Sequence, residues 1–368
     1  MPKFVCPFCI SEYNSNKIRY FCPDEYCGAE ATPGFFTKLF NRSKRIKCSN
    51  PHHPNGFATK RVCPMPECGE TIPLSALQNP SLPISIVGVP SSGKTNYITV
   101  MIEELHSARG LHFNIGFQNN ETMLHQKENR DKIYEKRTPP DSTRYLFPLP
   151  QIWEIRNRNI GPRNFTIFDG AGEGVTISKD SSVGRYISKS KAILLVVDPL
   201  TLSKVRGNGI LDEEVIKNSL AGNMGEVWQA NTVLTRINTE IRELQHITGN
   251  AKLKIPVAVV FTKFDTILNK YPEFSQDALI RQPRLTVTNG VISMEEIEQV
   301  NAEIENWLYA IGEDGFLSAL ANNFEEYKLF GVSSYGSPPL SPNELPEIRP
   351  HRVLDPMLWL FKRMKYID

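Results

Sequence analysis

The sequence predicts an α/β protein in which a mostly parallel sheet, with helices on both faces, follows a small metal-stabilised module. From residue 83 onward, short apolar runs rich in β-branched residues alternate with longer amphipathic stretches. This alternation is typical of a parallel sheet covered on both sides. All seven cysteines lie at or before residue 68, which separates a cysteine-containing segment from the rest. We therefore predict metal-binding modules over 1–75, a linker over 76–82 and one α/β domain over 83–368.

The composition excludes several classes of protein. With 40% hydrophobic and 22% charged residues, the chain has the balance of a globular protein that buries a core. No apolar run reaches the roughly 18 residues that a membrane helix needs, and the first residues lack the apolar stretch of a signal peptide. We expect a cytoplasmic protein with no membrane span. The net charge of +2 gives no indication of nucleic-acid binding for the chain as a whole.

The spacing of the cysteines indicates zinc binding. An odd number of cysteines in a chain of this kind argues against a disulfide framework. A Cys-x2-Cys pair, followed twelve residues later by a Cys-x4-Cys pair, suits one tetrahedral four-thiolate site. The residues of this predicted site are Cys6, Cys9, Cys22 and Cys27.

An internal repeat predicts a second zinc site. The motif Cys-Pro-x3-Cys-Gly occurs at 22–28 and again at 63–69, and its glycine permits a turn after the second thiolate. The ligands of the second site would be Cys48, Cys63, Cys68 and either His52 or His53. Both sites have four protein ligands, so we expect structural zinc that supplies folding free energy to a segment with little core. The alternative is a set of ordinary buried thiols without metal.

The N-terminal segment is also locally basic, since residues 1–80 contain ten Lys or Arg and six Asp or Glu. A basic cluster preceded by three phenylalanines could contact the phosphates of a nucleic acid or an acidic protein partner. These residues are Phe35, Phe36, Phe40, Arg42, Lys44, Arg45 and Lys47. A solvated loop between two zinc-binding turns is the alternative.

Periodicity gives the elements of the α/β domain. Six apolar runs are predicted as strands: 84–87, 152–155, 165–168, 192–197, 257–261 and 329–332. Four amphipathic segments are predicted as helices: 95–106, 226–246, 294–310 and 353–364. Ser293 and Glu296 have the spacing of a capping box at the start of the third of these helices. In such a sheet, ligands bind at the carboxyl ends of the strands.

The first predicted strand leads into a phosphate-binding loop. Residues 88–95 read G-x4-G-K-T between a strand and a helix, the setting in which backbone N–H groups and a helix N-terminus hold a β-phosphate. Lys94 would reach the β- and γ-phosphates, and the Thr95 hydroxyl would bind Mg²⁺. The other loop residues predicted to line the phosphates are Gly88, Ser91, Ser92 and Gly93.

A D-x-x-G motif follows the third predicted strand. Its first residue, Asp169, comes directly after 165–168, and its last is Gly172. At that strand end the Asp169 carboxylate would lie beside Thr95 and hold Mg²⁺ through a water. The Gly172 N–H would contact the γ-phosphate.

Two motifs after the fifth and sixth predicted strands indicate a guanine pocket. Thr262, Lys263 and Asp265 belong to a T-K-F-D run. A carboxylate there can accept hydrogen bonds from N1–H and the 2-amino group of guanine, and adenine lacks that pair of donors. Ser333 and Ser334 begin an S-S-Y-G turn whose backbone N–H could face the guanine O6. A surface lysine and aspartate after a core strand are the alternative.

The order G-x4-G-K-T, D-x-x-G, T-K-x-D, S-S-x-G on successive strand ends resembles the P-loop GTPases of the translation-factor-related, small-GTPase-like class, over roughly 83–368. The resemblance implies a six-stranded, mostly parallel sheet with an antiparallel second strand, and GTP or GDP with Mg²⁺ as ligands. The C-terminal segment 350–360, together with the zinc modules, resembles bacterial GTPases of the double-GTPase type associated with conflict systems.

Two departures from the family pattern bear on catalysis. Where many members have a glutamine that orients the attacking water, this chain has Glu173, whose charge a γ-phosphate would repel. A long polar insertion over about 118–143 must hold the switch threonine, with Thr143 as the first choice and Thr138 as the second. The predicted catalytic residues are therefore Lys94, Thr143 and Glu173.

Together these features predict a GTP-binding, slowly GTP-hydrolysing switch whose zinc modules or insertion bind a protein partner. One alternative is a guanine-nucleotide-dependent scaffold that does not hydrolyse GTP, which Glu173 favours. Another is a nucleic-acid-binding zinc ribbon regulated by the GTPase domain, which the basic segment permits. An ATP-using enzyme is less consistent with Asp265, which would have no role in it.

Overall fold

We describe the fold from a computed structural model. The described residues are 3–31, 46–89, 91–108, 111–141, 150–157, 161–169, 182–207, 209–210 and 230–367. Within them, a small N-terminal module of short strands precedes a large α/β domain. No helix in these ranges has both the length and the hydropathy needed to cross a membrane.

The N-terminal module consists of two small antiparallel sheets. In the first, β1 (Lys3–Val5) pairs with β2 (Glu12–Asn14). In the second, β3 (Arg19–Phe21) lies between β4 (Glu30–Ala31) and β5 (Lys60–Val62). The short helix α1 (Ser75–Gln78) follows. The buried core of the module is small and includes two cysteines: Phe4, Cys6, Ile18, Cys63, Ile72 and Ala76.

The α/β domain is built on a seven-stranded sheet with the order β14-β11-β10-β6-β9-β8-β7. The strands are β6 (Ser81–Gly88), β7 (Asn114–Phe117), β8 (Gln151–Arg156), β9 (Arg163–Asp169), β10 (Ala192–Val197), β11 (Val257–Phe261) and β14 (Tyr327–Gly331). Strand β8 runs antiparallel to both of its neighbours, and the other pairings are parallel. The predicted fold class is confirmed. The expectation of six strands is wrong, because β7 adds a seventh at the edge. A separate hairpin pairs β12 (Val287–Thr288) with β13 (Val291–Ile292).

Helices cover both faces of the sheet. They are α2 (Lys94–Ser107), α3 (Asn120–Arg130), α4 (Ser182–Lys189), α5 (Ser203–Gly207), α6 (Ala230–Leu244), α7 (Asp265–Leu268), α8 (Met294–Ala310), α9 (Asp314–Asn323) and α10 (Asp355–Arg363). Alternate side chains of β10 enter two cores, as expected of a strand covered on both sides. Leu195 packs in the core with α4, α6 and α9, and Leu194 in the core with α2 and α10.

Two segments differ from the sequence-based expectation. The predicted insertion 118–143 contains α3 and a π-helix, Asp131–Lys136, and its residues 142–143 lie outside the described ranges. The predicted linker 76–82 contains most of α1 and the first residues of β6. The domain limits at 75 and 83 remain predictions.

Candidate functional site

The loop between β6 and α2 has the backbone of a phosphate-binding turn. Gly93, at the N-cap of α2, has a φ of 82°, and Ser91 has a φ of 59°, so the chain turns through left-handed conformations that favour glycine. A Cβ on Gly88 would lie 2.2 Å from the carbonyl oxygen of Val196, so only glycine fits where the loop leaves the sheet.

Two polar side chains of this loop, Ser92 and Lys94, are buried. The Lys94 Nζ donates to the carbonyl oxygens of Gly88 (3.2 Å) and Val89 (2.9 Å). The Ser92 hydroxyl is buried and, among the described residues, has no hydrogen-bond partner. Buried polar groups are normally paired, so this hydroxyl, together with the helix N-terminus, suits a polar anionic ligand such as phosphate.

The end of β11, two strands away from β6 in the sheet, is bonded to the loop. The Thr262 hydroxyl, after β11, donates to the carbonyl oxygen of Ser92 at 2.6 Å. The Lys263 Nζ donates to the carbonyl oxygen of Ser91 at 3.2 Å and to the Oδ2 of Asp198 at 2.6 Å. Asp198 follows β10 and is 2% exposed. The T-K-F-D run and the phosphate-binding loop thus form one connected unit.

A cavity of about 300 Å³ opens beside this unit. Its polar lining combines residues from both predicted guanine motifs and the start of α2: Gly93, Asn96, Thr262, Lys263, Asp265, Ser333 and Ser334. Burial raises the pKa of the Asp265 carboxyl, and a hydrogen bond from Ser333 opposes that rise. The Ser333 Oγ also accepts a hydrogen bond from the Gly336 N–H at 2.8 Å, which orients the hydroxyl.

The predicted Mg²⁺ and switch residues are described only in part. Asp169 ends β9, where its backbone pairs with Ile86 next to the start of the phosphate-binding loop. Thr143, Gly172 and Glu173 lie outside the described residues. Thr138, the second choice for the switch threonine, donates its N–H to the Lys132 carbonyl oxygen at 2.8 Å.

The cysteines cluster into two sites, but the predicted grouping is wrong. The first cluster contains Cys6, Cys9, Cys63 and Cys68, and the second contains Cys22, Cys27, Cys48 and His53. His52 is not part of either cluster. The two sites interleave in the sequence because β3 pairs with β5. This pairing brings Cys63 and Cys68 next to Cys6 and Cys9. The ligands of the second site come from the chain between these two pairs.

Ligand spacing in both clusters suits tetrahedral zinc. The Sγ atoms of Cys6 and Cys68 lie 3.9 Å apart, and those of Cys9 and Cys63 lie 3.8 Å apart. Four thiolates at about 2.3 Å from one zinc ion would be about 3.8 Å from each other. In the second cluster the Cys22 Sγ lies 3.4 Å from the His53 Nδ1. These donor sets could hold zinc, with no coordination position left for a reactant.

The internal repeat is also visible in the backbone. In the first copy the N–H groups of Cys27 and Gly28 donate to the Asp24 carbonyl oxygen, and in the second those of Cys68 and Gly69 donate to that of Met65. Both glycines have positive φ. The two copies form the same turn, although they belong to different clusters.

Of the basic and aromatic cluster, only Lys47 lies within the described residues; Phe35, Phe36, Phe40, Arg42, Lys44 and Arg45 lie outside them.

Comparison with known proteins identifies the family. Residues 82–330 match the model of the Double-GTPase 2 family. The chain belongs to this family. It is therefore a P-loop GTPase of the double-GTPase type, and its GTPase-like domain supports guanine-nucleotide binding and a switch-like function.

A curated relative matches this double-GTPase along nearly its whole length. It is a candidate ESX-1 scaffolding and assembly protein, SaeC, of Mycolicibacterium smegmatis, 24% identical, with 96% of this chain and 97% of the relative covered. Similar solved structures are more distant. The Arl6 (BBS3) small GTPase of Trypanosoma brucei has 12% identity, coverage of 78% of this chain and 99% of that one, and a TM-score of 0.29. The Ski7 GTPase-like domain of S. cerevisiae has 11% identity, coverage of 78% and 50%, and a TM-score of 0.35.

Two features of the double-GTPase domain were missed by sequence reasoning. One is Asp198, although an aspartate directly after a buried strand at the ligand edge was a usable signal. The other is a buried ion cluster in the C-terminal segment, where Arg352, 2% exposed, donates to Glu296 at 2.8 Å and to Asp355 at 2.7 Å. No sequence pattern relates Arg352 to Glu296, since they lie far apart in the chain.

Proposed function

We propose that this double-GTPase is a nucleotide-dependent switch that selects guanine through Asp265 and holds the phosphates with the loop at 88–95. The observation that carries the proposal is the single cavity shared by the start of α2, the T-K-F-D run and the S-S-Y-G turn. A carboxylate in a partly desolvated pocket favours a ligand that offers it two N–H donors, because an unpaired buried charge is costly.

The roles of the remaining site residues follow from the same proposal. Lys94 would exchange its bonds to loop carbonyls for phosphate oxygens, and Thr262 would keep the loop attached to β11. Thr95 and Asp169 would bind Mg²⁺, which neutralises phosphate charge when bound. The catalytic roles of Thr143 and Glu173 belong to the proposal too. Hydrolysis without a partner would be slow, on the order of 10⁻⁴ s⁻¹.

We further propose that the two zinc-binding clusters stabilise a docking module for a protein partner. A second candidate function is a scaffold that binds guanine nucleotide without hydrolysing it. The relative named for ESX-1 scaffolding and assembly supports this candidate, as does Glu173 at the position where a water-orienting glutamine would be expected.

Calorimetric titration of the full chain with GDP, GTP, ADP and ATP in the presence of Mg²⁺ tests the binding proposal. We expect a heat of binding with the guanine nucleotides and little heat with the adenine nucleotides. Binding of ATP without binding of GTP or GDP would refute the proposal. Single-turnover phosphate release, with and without cell extract, then separates the two functions. Release under either condition supports the switch, and its absence under both supports the scaffold.

A further inference from the structure

The cavity beside Asp265 has a second wall that none of the guanine motifs provides. This wall is mostly apolar, although Ser337 and Ser341 also line it, and we call its apolar residues the proline wall. It consists of Pro139, Pro338, Pro339, Leu340, Pro342 and Leu345. It joins the end of the insertion to the segment after the S-S-Y-G turn, so residues distant in sequence meet at one side of the cavity.

Backbone hydrogen bonds hold Pro139 in this wall. Arg137 directly follows the π-helix and has a left-handed φ of 52°. Its carbonyl oxygen accepts a hydrogen bond of 2.8 Å from the Leu345 N–H, and the Thr138 N–H donates to Lys132 at 2.8 Å. The two halves of the wall are thus bonded to each other two residues before Pro139. Arg137 is exposed, and its left-handed backbone is an uncommon conformation for a residue other than glycine.

The other half of the wall is a tight turn. The Leu340 N–H donates to the Glu344 carbonyl oxygen at 2.9 Å, and the Glu344 N–H donates back to that of Ser341 at 3.1 Å. Leu340 is 67% exposed, although it lines the cavity. Apolar surface presented at a cavity beside polar groups is typical of a ligand-binding site.

We propose that the proline wall binds the apolar face of the guanine base, with Pro139 as a residue that sets nucleotide affinity. This inference rests on the proposed function. A purine has hydrogen-bonding edges and apolar faces, and the cavity has one polar sector around Asp265 and one mostly apolar sector. Proline rings suit such a contact because they lose almost no side-chain entropy on binding. The insertion thereby contributes to base binding as well as carrying the predicted switch residues.

The test compares Pro139→Ala with Pro140→Ala, the adjacent half-buried proline that does not line the cavity. Calorimetry on the full chain would measure GDP, which has a base, and inorganic tripolyphosphate, which has none. We expect Pro139→Ala to weaken GDP binding about fourfold, since two methylene groups of a half-buried ring are lost, with tripolyphosphate unchanged. Pro140→Ala should match the parent chain for both ligands. Leu340→Ser, at an exposed position, should weaken GDP binding in the same selective way.

Three results are distinguishable. An unchanged GDP affinity in both Pro139→Ala and Leu340→Ser would overturn the role of the wall. An equal loss for GDP and tripolyphosphate would overturn it as well, because the defect would then lie in the phosphate site or the fold. If the parent chain binds tripolyphosphate but no GDP, the proposed guanine site itself is refuted.

Discussion

The surroundings of Asp265 support the role in guanine selection that we propose for it. Its carboxyl is partly withdrawn from water, which raises its pKa, and the Ser333 hydroxyl offers a hydrogen bond that favours the charged form. A ligand with two adjacent N–H donors satisfies the carboxylate fully, whereas an acceptor in the same place is repelled. The base preference should therefore follow the chemistry of this side chain.

Replacement of Asp265 by Asn should shift preference from guanosine toward xanthosine nucleotides. The amide can donate to the 2-oxo group of xanthine, which the carboxylate cannot. We expect GDP affinity to fall at least about a hundredfold, because the loss combines an unmade charge-assisted bond with an unfavourable contact. Competition between GDP and xanthosine diphosphate measures the base preference. The control is Asp277→Asn, at an exposed position. An unchanged base preference would contradict the guanine pocket.

Asp198 should act through Lys263 rather than on the nucleotide. Its Oδ1 accepts from the Leu200 N–H at 2.9 Å and its Oδ2 from Lys263. Asp198→Asn can keep the first bond while removing the charge that fixes the lysine. We expect about tenfold weaker GDP binding, in line with the loss of one charge-assisted hydrogen bond.

A double-mutant cycle with Lys263→Met checks this dependence. In the Lys263→Met background, Asp198→Asn should have little further effect on GDP affinity, since the group that it positions is gone. Additive losses of GDP affinity in the two variants would show that Asp198 influences the site independently of Lys263.

At the scale of elements, the sequence predicts best where apolar pattern and burial coincide. All six predicted strands are present, and the run at 192–197 matches β10 in both limits, because a strand buried on both faces has no polar residue to interrupt it. The edge strand β7 was missed because Asn114 and Gly116 interrupt so short a segment. Helix α3 was also missed for want of an apolar pattern. It is polar, and its start is fixed by the Asn119 side chain, which accepts a hydrogen bond from the Thr122 N–H.

The predicted capping box is half formed. The Ser293 Oγ accepts from the Glu296 N–H at 3.2 Å, as the spacing predicts. The Glu296 carboxylate, however, bonds to the Thr286 N–H and to Arg352. A local motif cannot foresee this outcome, because a buried arginine from a distant segment competes for the same carboxylate.

The Arg352 cluster should attach α10 to α8. Arg352→Met would leave the buried carboxylates of Glu296 and Asp355 without their cation, and removal of one partner from such a cluster typically costs about 3–5 kcal/mol. Urea unfolding of the full chain should show a decrease of this size in the free energy of unfolding. The matched control, Arg363→Met, breaks a pair with Glu326 in which the arginine is 49% exposed, and should cost less than about 1 kcal/mol. An equal decrease in the free energy of unfolding in both variants would mean that the buried cluster stabilises the fold no more than a surface ion pair does.

At the scale of the whole molecule, sequence spacing identified the residues of the two candidate zinc clusters but not their grouping. Seven cysteines and two histidines permit several four-ligand sets, and the choice depends on which strands pair. Only the pairing of β3 with β5 brings Cys63 and Cys68 to Cys6 and Cys9. The local turns were predictable because each glycine follows its thiolate directly, whereas the long-range pairing has no local signal.

The first cluster adjoins the GTPase domain. Ile10, one residue after the ligand Cys9, is buried in the same core as Tyr186 and Ile187 of α4. The Lys189 Nζ donates to the Ser11 Oγ at 3.0 Å, and Tyr186 stacks on Phe168 with ring centroids 4.3 Å apart. Phe168 directly precedes the predicted Mg²⁺ residue Asp169. Packing therefore connects the turn of the first cysteine cluster to the strand that carries the predicted Mg²⁺ residue.

This contact predicts different consequences for the two clusters. Loss of a ligand from the first, as in Cys9→Ser, should expose α4 as well as the N-terminal module, because Ile10 would no longer be held in the shared core. Loss of a ligand from the second, as in Cys27→Ser, should affect the module while leaving α4 protected. Hydrogen exchange of the zinc-loaded full chain measures protection of residues 182–189 directly, and GDP binding by both variants would show that the nucleotide site persists. If α4 exchanges equally in both variants and in the parent chain, the zinc-binding turn and the GTPase domain are energetically independent despite their contact.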